Sequence, residues 1–481
     1  MFVNDWNELL NQIVAITFNA VYFAAVIGTI IVIVLDNRNP VKTMAWIVVL
    51  FFLPYAGLVL YFFFGRSTRK ERIISRKSYS RLLKRPMAQF LALESFQTPA
   101  GQHQLMQLFK NTNQSLPFEG NRIEIYTDGS TKLQALIREL YKARHHIHLE
   151  YYIFEDDPVG RLIRDILIEK AREGVEVRLI YDDVGCWHVK NRFFEKMKEA
   201  GIEARAFLKV RFPLFTSKVN YRNHRKVVVI DGKTGFIGGM NIAERYIRGF
   251  SWGIWRDTHI LVEGRAVYGL QTAFLMDWYF VDRTLITSSA YFPKLATYGE
   301  SVTQIVTSDP VGEWREMMQG LTLAILNAHK YFYIQTPYFL PTEPIMNALR
   351  TAALTGVDIR LMMPERADNR ITHLGSCSYL KDILKAGVKV YFYQKGFLHS
   401  KLMVSDDILS TVGSTNMDFR SFEHNFEANA FMYDRDTALR MKEIFLHDQK
   451  TSIQVSLKNW EKRPLKRRVL ESIVRLLSPL L

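Results

Sequence analysis

The chain has 481 residues, 48% hydrophobic and 23% charged, which allows two or three folding units and a large core. Its formal charge of +15 favours a polyanionic partner, and composition alone does not separate nucleic acid from an anionic membrane. Cys186 and Cys377 stand far apart without C-x-x-C spacing, which argues against a disulfide scaffold or a cysteine-rich metal site and fits a reducing compartment.

The apolar residues gather at the N-terminus. Ile13 to Leu35 carry no charge, and as a helix these 23 residues extend roughly 35 Å, enough to cross a hydrocarbon core of about 30 Å. After the polar break "DNRNPVK" a second uncharged run extends from Thr43 to Gly65, with Pro54 and Gly57 as possible kinks. Two transmembrane helices are therefore expected, about 13–35 and 43–65. A cleaved signal peptide is disfavoured, because Asp5 and Glu8 precede the first run without any basic residue and a second run follows. A buried helical hairpin is the soluble alternative. Between Gly65 and Pro86 stand nine Lys/Arg against one acid, Glu71, so the positive-inside rule puts both termini and the main body on the cytoplasmic side. The same residues suit an anionic lipid surface.

Beyond about residue 120 the chain repeats loosely. "ARHHIHLEYYIF" from Ala143 parallels "AHKYFYIQTPYF" from Ala328, "GVEVRLI" at Gly174 parallels "GVDIRLM" at Gly356, and "AGIEARAF" parallels "AGVKVYFY". Strands alternate with helices such as "RLIRDILIEKAREG", so the fold class is α/β, with two pseudo-symmetric α/β/α lobes meeting about a two-fold axis. The expected organisation is a membrane anchor over 1–65, a basic juxtamembrane linker over 66–120, lobe 1 over 121–295, lobe 2 over 296–450 and a basic amphipathic tail over 451–481.

Each lobe carries the same pattern, H-x-K-x4-D-x6-G-[GS]-x-N: "HRKVVVIDGKTGFIGGMN" from His224 and "HSKLMVSDDILSTVGSTN" from His399. "KVVVI" followed by Asp-Gly reads as a hairpin, which brings His224, Lys226 and Asn241 to one end and leaves Asp231 near the turn. His399, Lys401 and Asn416 gather likewise, with Asp406 near the other turn. Asp231 and Asp406 belong to the catalytic motif, yet their spacing gives them a structural part in it. Facing hairpins would surround one point with two imidazoles, two ammonium groups and amide donors. That set suits an anion with several equivalent oxygens, and Lys226, Asn241, Lys401, Ser414 and Asn416 are the candidate phosphate contacts. Two histidines suit double displacement at phosphorus, one as nucleophile and one as proton carrier. A nucleophilic imidazole needs its second nitrogen held by an acceptor. Asp257 and Glu427 are the candidate orienting carboxylates, and crossed pairing with the other lobe's histidine is one arrangement open to them. No carboxylate cluster or Cys/His set of metal spacing accompanies the motifs, and no metal or cofactor is expected.

The duplicated H-x-K-x4-D motif resembles the phospholipase D superfamily over roughly residues 120–450. Within it the two apolar runs, "IQTPYFLPTEP", "LHSKLMVSDD", "GSTNMDFRSFEHNFEANAFMYD" and the terminal "RLLSPLL" are similar to the bacterial cardiolipin synthases. The resemblance implies transfer of a phosphatidyl group between two phosphatidylglycerols, giving cardiolipin and glycerol without a nucleotide. It also implies a phosphohistidine, with His224 the nucleophile and His399 the acid, a choice the residues alone do not make. It implies a bacterial cell membrane location; a nuclease of the same superfamily would also be basic, and the two apolar runs weigh against that reading and against a nucleic acid partner. A hydrolytic phospholipase D and a phosphatidyltransferase with another alcohol are the close alternatives, and the oligomeric state stays open. Gly239 departs from Ser414, so the two phosphate contacts are expected to be unequal.

Four further segments bear on the site. "RAFLKVRFPLFTSKVNYRNHRK" interleaves basic and aromatic residues as a membrane-facing lip or an ordinary loop would. In the tail, Leu465, Val469, Ile473 and Leu477 recur at helical spacing opposite Lys466, Arg467 and Arg475, as in an interfacial helix or one docked on the protein's own core. "HHIH" alternates on a strand without partner ligands. His424 is a candidate to line the pocket, and Asp418 and Arg420, in "DFRS" beside the second motif, are candidates to order the catalytic corner or contact the headgroup.

Overall fold

The computed structural model describes residues 2–35, 40–61, 101–209 and 221–479. Two units are distinguished. The N-terminal one holds α1 (Phe2–Leu35), α2 (Pro40–Phe52) and α3 (Pro54–Leu60). Leu9–Leu35 of α1 is the one helix among the described residues long and apolar enough to cross a membrane, and its side chains are largely exposed. The second uncharged run is not the single helix expected. Leu53 leaves helical geometry (φ −126°, ψ 64°), because the ring of Pro54 disfavours a helical residue before it, and Pro54 opens α3. α2 alone, at 13 residues, reaches only about 20 Å. Tyr55 of α3 stacks on Tyr22 of α1, with ring centroids 4.2 Å apart. The basic stretch after Gly65 and half of the interleaved basic–aromatic segment, residues 210–220, lie outside the described residues.

The second unit is built on a continuous sheet. Its first half supplies β1 (Pro117–Tyr126), β2 (His146–Tyr151), β3 (Glu176–Asp182), β4 (Glu203–Phe207), β5 (Arg222–Asn223), β6 (Lys226–Ile230), β7 (Thr234–Gly238), β8 (Ile254–Arg256) and β9 (His259–Glu263). The second half supplies β10 (Ser301–Ser308), β11 (Tyr331–Gln335), β12 (Phe339–Leu340), β13 (Asp358–Pro364), β14 (Lys389–Tyr393), β15 (Gly396–Leu398), β16 (Leu402–Ser405), β17 (Leu409–Gly413), β18 (Met417–Asp418), β19 (Asn425–Met432) and β20 (Ser452–Val455). From one edge the order is β4-β3-β2-β6-β7-β9-β1. It continues as β10-β19-β17-β16-β11-β13-β14-β20, so one strand order occurs twice, back to back, joined by antiparallel β1 and β10. The parallel strands β2-β3-β4 and β11-β13-β14 are the ones connected by helices, as crossover geometry requires.

Strand β6 explains why both faces must be covered. Val228 and Ile230 point into a core with Leu136, Ile163, Leu167 and Phe193, whereas Val227 and Val229 point into another with Val267, Leu270 and Phe274. An apolar run without polar alternation is thus buried on both sides between helices. In the second half Met403 and Val404 divide the same way, Val404 sharing the core of Val227. Cys186 and Cys377 are buried in these cores, and burial pushes both thiols up to about 12. The "HHIH" rings are packed on a strand: His146 and His148 are buried and share Gln271, at 2.9 and 2.8 Å.

The two motif aspartates stand at the turns, away from the histidine ends of their hairpins. Asp231 (φ 52°) accepts from the backbone N–H groups of Arg144, His145 and His146 at 2.8–3.0 Å. Asp406 (φ 53°) accepts from those of His329, Lys330 and Tyr331 at 2.7–2.9 Å. Each carboxylate pins the start of a neighbouring strand to its hairpin. The tail helix Leu465–Arg475 docks through Arg475, which donates to Asp382 at 3.2 Å, while its buried Glu471 accepts from Arg463 and Arg467 within the tail at 2.6 and 3.2 Å. Leu465, Val469 and Ile473 remain exposed on it, and Leu477 just beyond it.

Replacing Asp231 by Ala removes three acceptor contacts at a left-handed residue and is expected to cost about 3 kcal/mol of stability. Thermal unfolding of the variant measures this, with catalytic turnover at low temperature changed far less than the midpoint.

Candidate active site

Two very short strands bring the motifs together. β5, just before His224, pairs in parallel with β19 of the other half, Arg222 against Asn425 and Asn223 against Phe426, and the His224 N–H donates to the Phe426 carbonyl at 2.9 Å. β15, just before His399, pairs in parallel with β8, Leu398 against Arg256, and the His399 N–H donates to the Arg256 carbonyl at 2.7 Å. Close approach of β15 needs Gly396 (φ 156°), where a Cβ would overlap the Ile254 backbone. The residues after Phe426 and Arg256 are Glu427 and Asp257, so each carboxylate arrives beside the histidine of the other half. His224 Nδ1 lies 3.1 Å from both Glu427 oxygens, and His399 Nδ1 lies 2.7 Å from Asp257 Oδ2. The pairing is crossed.

Both carboxylates are fully buried, which by itself raises their pKa. Asp257 is nevertheless held low by Lys401, by His399 and by the Thr258 N–H. Glu427 is held low by His224, by Lys226 and by the Ser414 hydroxyl. Burial drives the imidazoles the other way. His224 falls to about 4 and His399 to about 3, the latter with Lys401 adding to the shift, against the opposing pull of their carboxylates. The rings are therefore neutral near pH 7, and a carboxylate that accepts from Nδ1–H leaves Nε2 with its lone pair.

Lys226 and Lys401 are fully buried, and each donates to the carbonyl of its own histidine at 2.5 Å. Lys401 Nζ also lies 2.9 and 3.1 Å from the His399 ring nitrogens. Burial lowers both lysines, Lys401 to about 8 and Lys226 well below its ordinary value.

His224, His399, Asn241 and Asn416 line one cavity of roughly 650 Å³, within the range of small-ligand sites. Asn241 accepts from the Ile153 N–H at 3.1 Å and donates to the Tyr246 hydroxyl. Ser414, expected at the phosphate, is instead fully buried and donates to Glu427. The departure at Gly239 has the matching cause, since a Cβ there would overlap the Asp257 carboxylate. The inequality between halves thus lies in how each carboxylate is held. Asp418 and Arg420 line the cavity, and burial raises Asp418 to about 6. His424 is not among the lining residues and stacks near Tyr221.

Residue spacing missed the aromatic walls. Tyr152 meets the His224 ring edge-on, with centroids 5.1 Å apart, and Trp255 lies 5.1 Å from His399. Tyr338 and Asp368, joined at 2.8 Å, complete one side. A signal existed for the tyrosines: Tyr152 and Tyr338 follow the carboxyl ends of parallel strands, where ligands of such sheets bind.

Because both histidines fall below their ordinary value of 6.5, the folded chain binds fewer protons than the unfolded one between pH 6.5 and about 4. Their contribution therefore lowers stability as pH drops through that window, by up to about 1.4 kcal/mol per pH unit for each. ¹⁵N spectra of labelled histidine are expected to find both rings neutral at pH 6 with the proton on Nδ1. An imidazolium signal from either at that pH would contradict this.

A family model described as cardiolipin synthase, PLD-like domain, matches residues 136–268 and 321–449, and one described as phospholipase D-nuclease N-terminal matches residues 24–66. The chain is 42% identical over 458 residues to a cardiolipin synthase of Geobacillus sp. (strain WCH70), covering 94% of this chain and 91% of that one. It is 38% identical over 488 residues to the major cardiolipin synthase of Bacillus subtilis (strain 168), covering 98% and 100%. Among solved structures, the phosphatidylserine synthase of Haemophilus influenzae Rd KW20 superposes with a TM-score of 0.60 at 15% identity, over 79% of this chain and 100% of that one, a likeness of fold. The chain belongs to the cardiolipin synthase family of phospholipase D-like enzymes and is a phosphatidyltransferase.

Proposed function

We propose that the chain makes cardiolipin, moving a phosphatidyl group from one phosphatidylglycerol to the glycerol hydroxyl of another through a phosphohistidine. The observation that carries this reading is the pair of crossed histidine–carboxylate contacts opening on one cavity. The named relatives, similar over nearly the whole chain, support the choice of substrate.

In the first step His224 Nε2 attacks phosphorus. The P–N bond forms, the P–O bond to glycerol breaks, and the departing oxygen takes a proton from His399 Nε2. A bound phosphodiester anion opposes the effect of burial on His399, so the proton it needs is acquired with the substrate. In the second step His399 takes the proton of the incoming glycerol hydroxyl, whose oxygen attacks phosphorus and breaks the P–N bond. Glu427 and Asp257 stabilise the positive rings of their partners in turn. Lys226 and Lys401 supply charge toward the phosphoryl oxygens, with Asn241 and Asn416 as amide contacts. Aromatic walls that exclude water, and a bound glycerol at high effective molarity, favour transfer over hydrolysis.

The setting is the bacterial cell membrane. α1 crosses it, α2 and α3 together form a second, broken span, and the catalytic halves lie on the cytoplasmic side, as the nine Lys/Arg between Gly65 and Pro86 favour. Leu465, Val469 and Ile473 on the tail helix rest on the lipid surface.

Detergent-solubilised protein given labelled phosphatidylglycerol and no nucleotide is expected to release cardiolipin and glycerol in equal amounts. Phosphatidic acid as the main product would reject transfer. Either His224→Ala or His399→Ala is expected to slow cardiolipin formation by on the order of 10³ or more. Serine at Leu465, Val469 and Ile473 together is expected to reduce turnover on phosphatidylglycerol vesicles more than turnover in detergent.

A further inference from the structure

Cardiolipin carries two phosphates, and the centre of the site is charged for one. Lys226 and Lys401 face the buried carboxylates Asp257 and Glu427, cation for anion, so an acceptor lipid that brings its own phosphate needs a cation elsewhere. The sequence repeat continues past the motif: Arg245 stands four residues after Asn241, and Arg420 four after Asn416. Both line the same cavity, and each is linked through an aromatic ring to a different histidine. Arg245 lies over the Tyr246 ring at 5.9 Å, and that ring is 6.4 Å from His399. Arg420 acts electrostatically on Tyr152, which is against His224.

Resting on the reading that His224 is the nucleophile, we propose that Arg245 binds the phosphate of the acceptor phospholipid and so selects a lipid over a free alcohol. In-line displacement puts the leaving and entering glycerol oxygens on the His399 side of phosphorus. The acceptor's phosphate, one glycerol further out, then falls toward the arginine on that side. Arg245 suits this. Its side chain is 38% exposed, and its ion pair is a 3.4 Å contact with Glu155, itself 27% exposed, which an incoming phosphate can displace. The planar guanidinium offers a phosphate two parallel N–H donors. Asp368 and Asp418 in the same cavity repel a second anion, so the arginine also offsets their charge.

The test compares two transfers from one phosphohistidine in the same full-length preparation. One is cardiolipin formation from phosphatidylglycerol. The other is exchange of labelled free glycerol into phosphatidylglycerol, where the acceptor has no phosphate. Loss of folded protein cancels in their ratio. Arg245→Gln is expected to lower the ratio of cardiolipin formation to exchange at least about tenfold, with Arg245→Lys intermediate. Glu155→Gln, which frees the guanidinium, is expected to raise it. An unchanged ratio in Arg245→Gln, whether both activities persist or fall together, overturns the proposal. Wild-type protein that performs neither transfer would instead overturn the cardiolipin reading beneath it.

Discussion

Two backbone pairings, β5 with β19 and β15 with β8, are what the site depends on. Each is only two or three residues long and each joins the first half of the catalytic unit to the second. Parallel pairing fixes register, so the residue after the pair on one strand stands beside the residue after the pair on the other. Those residues are His224 and Glu427 in one case, His399 and Asp257 in the other. The Thr258 and Ser400 hydroxyls, 2.7 Å apart, and the Arg256–Asp448 ion pair at 2.8 Å bind the halves beside the same crossing. A hairpin alone would leave each histidine without its acceptor. The crossing makes both halves necessary to each imidazole.

Burial then sets the chemistry. It lowers the imidazoles and lysines and raises the carboxylates, and the carboxylates escape because lysines, imidazoles and hydrogen-bond donors stand against them. The result is a compact set of near-balanced charge with neutral rings, suited to receive an anion whose arrival shifts the protons. Behind it Arg225 reaches from the first motif to the Glu427 carbonyl at 3.1 Å and to Asp277, tying the variable position of H-x-K into the frame.

Much of this was legible in the residues. The doubled pattern, its hairpin ends and the turn position of the aspartates follow from period two and a turn signal. Glu427 and Asp257 were legible as acceptors, with crossing as one option. The crossing itself was not, because strands as short as Arg222–Asn223 have no periodicity to detect. Nor was the partner of Ser414. A serine beside a glycine-rich corner reads as a phosphate contact, and only packing reveals that its hydroxyl faces Glu427. In the second apolar run Pro54 was legible as a kink, but not that the helix would break there, with α2 ending at Phe52 and α3 opening at Pro54. Of the aromatic walls, the tyrosines left a signal at the ends of parallel strands, whereas Trp255 lies within the three-residue β8, outside the motif and too short to read.

The central claim is that one imidazole takes the phosphorus and then yields it to the acceptor, while the other moves the proton in both steps. Its most direct measurement is the stereochemistry of transfer from phosphatidylglycerol made chiral at phosphorus by oxygen isotopes, with free glycerol as acceptor. Two in-line displacements invert twice, so the account predicts net retention of configuration. Net inversion, the signature of a single direct attack by the acceptor, would contradict it.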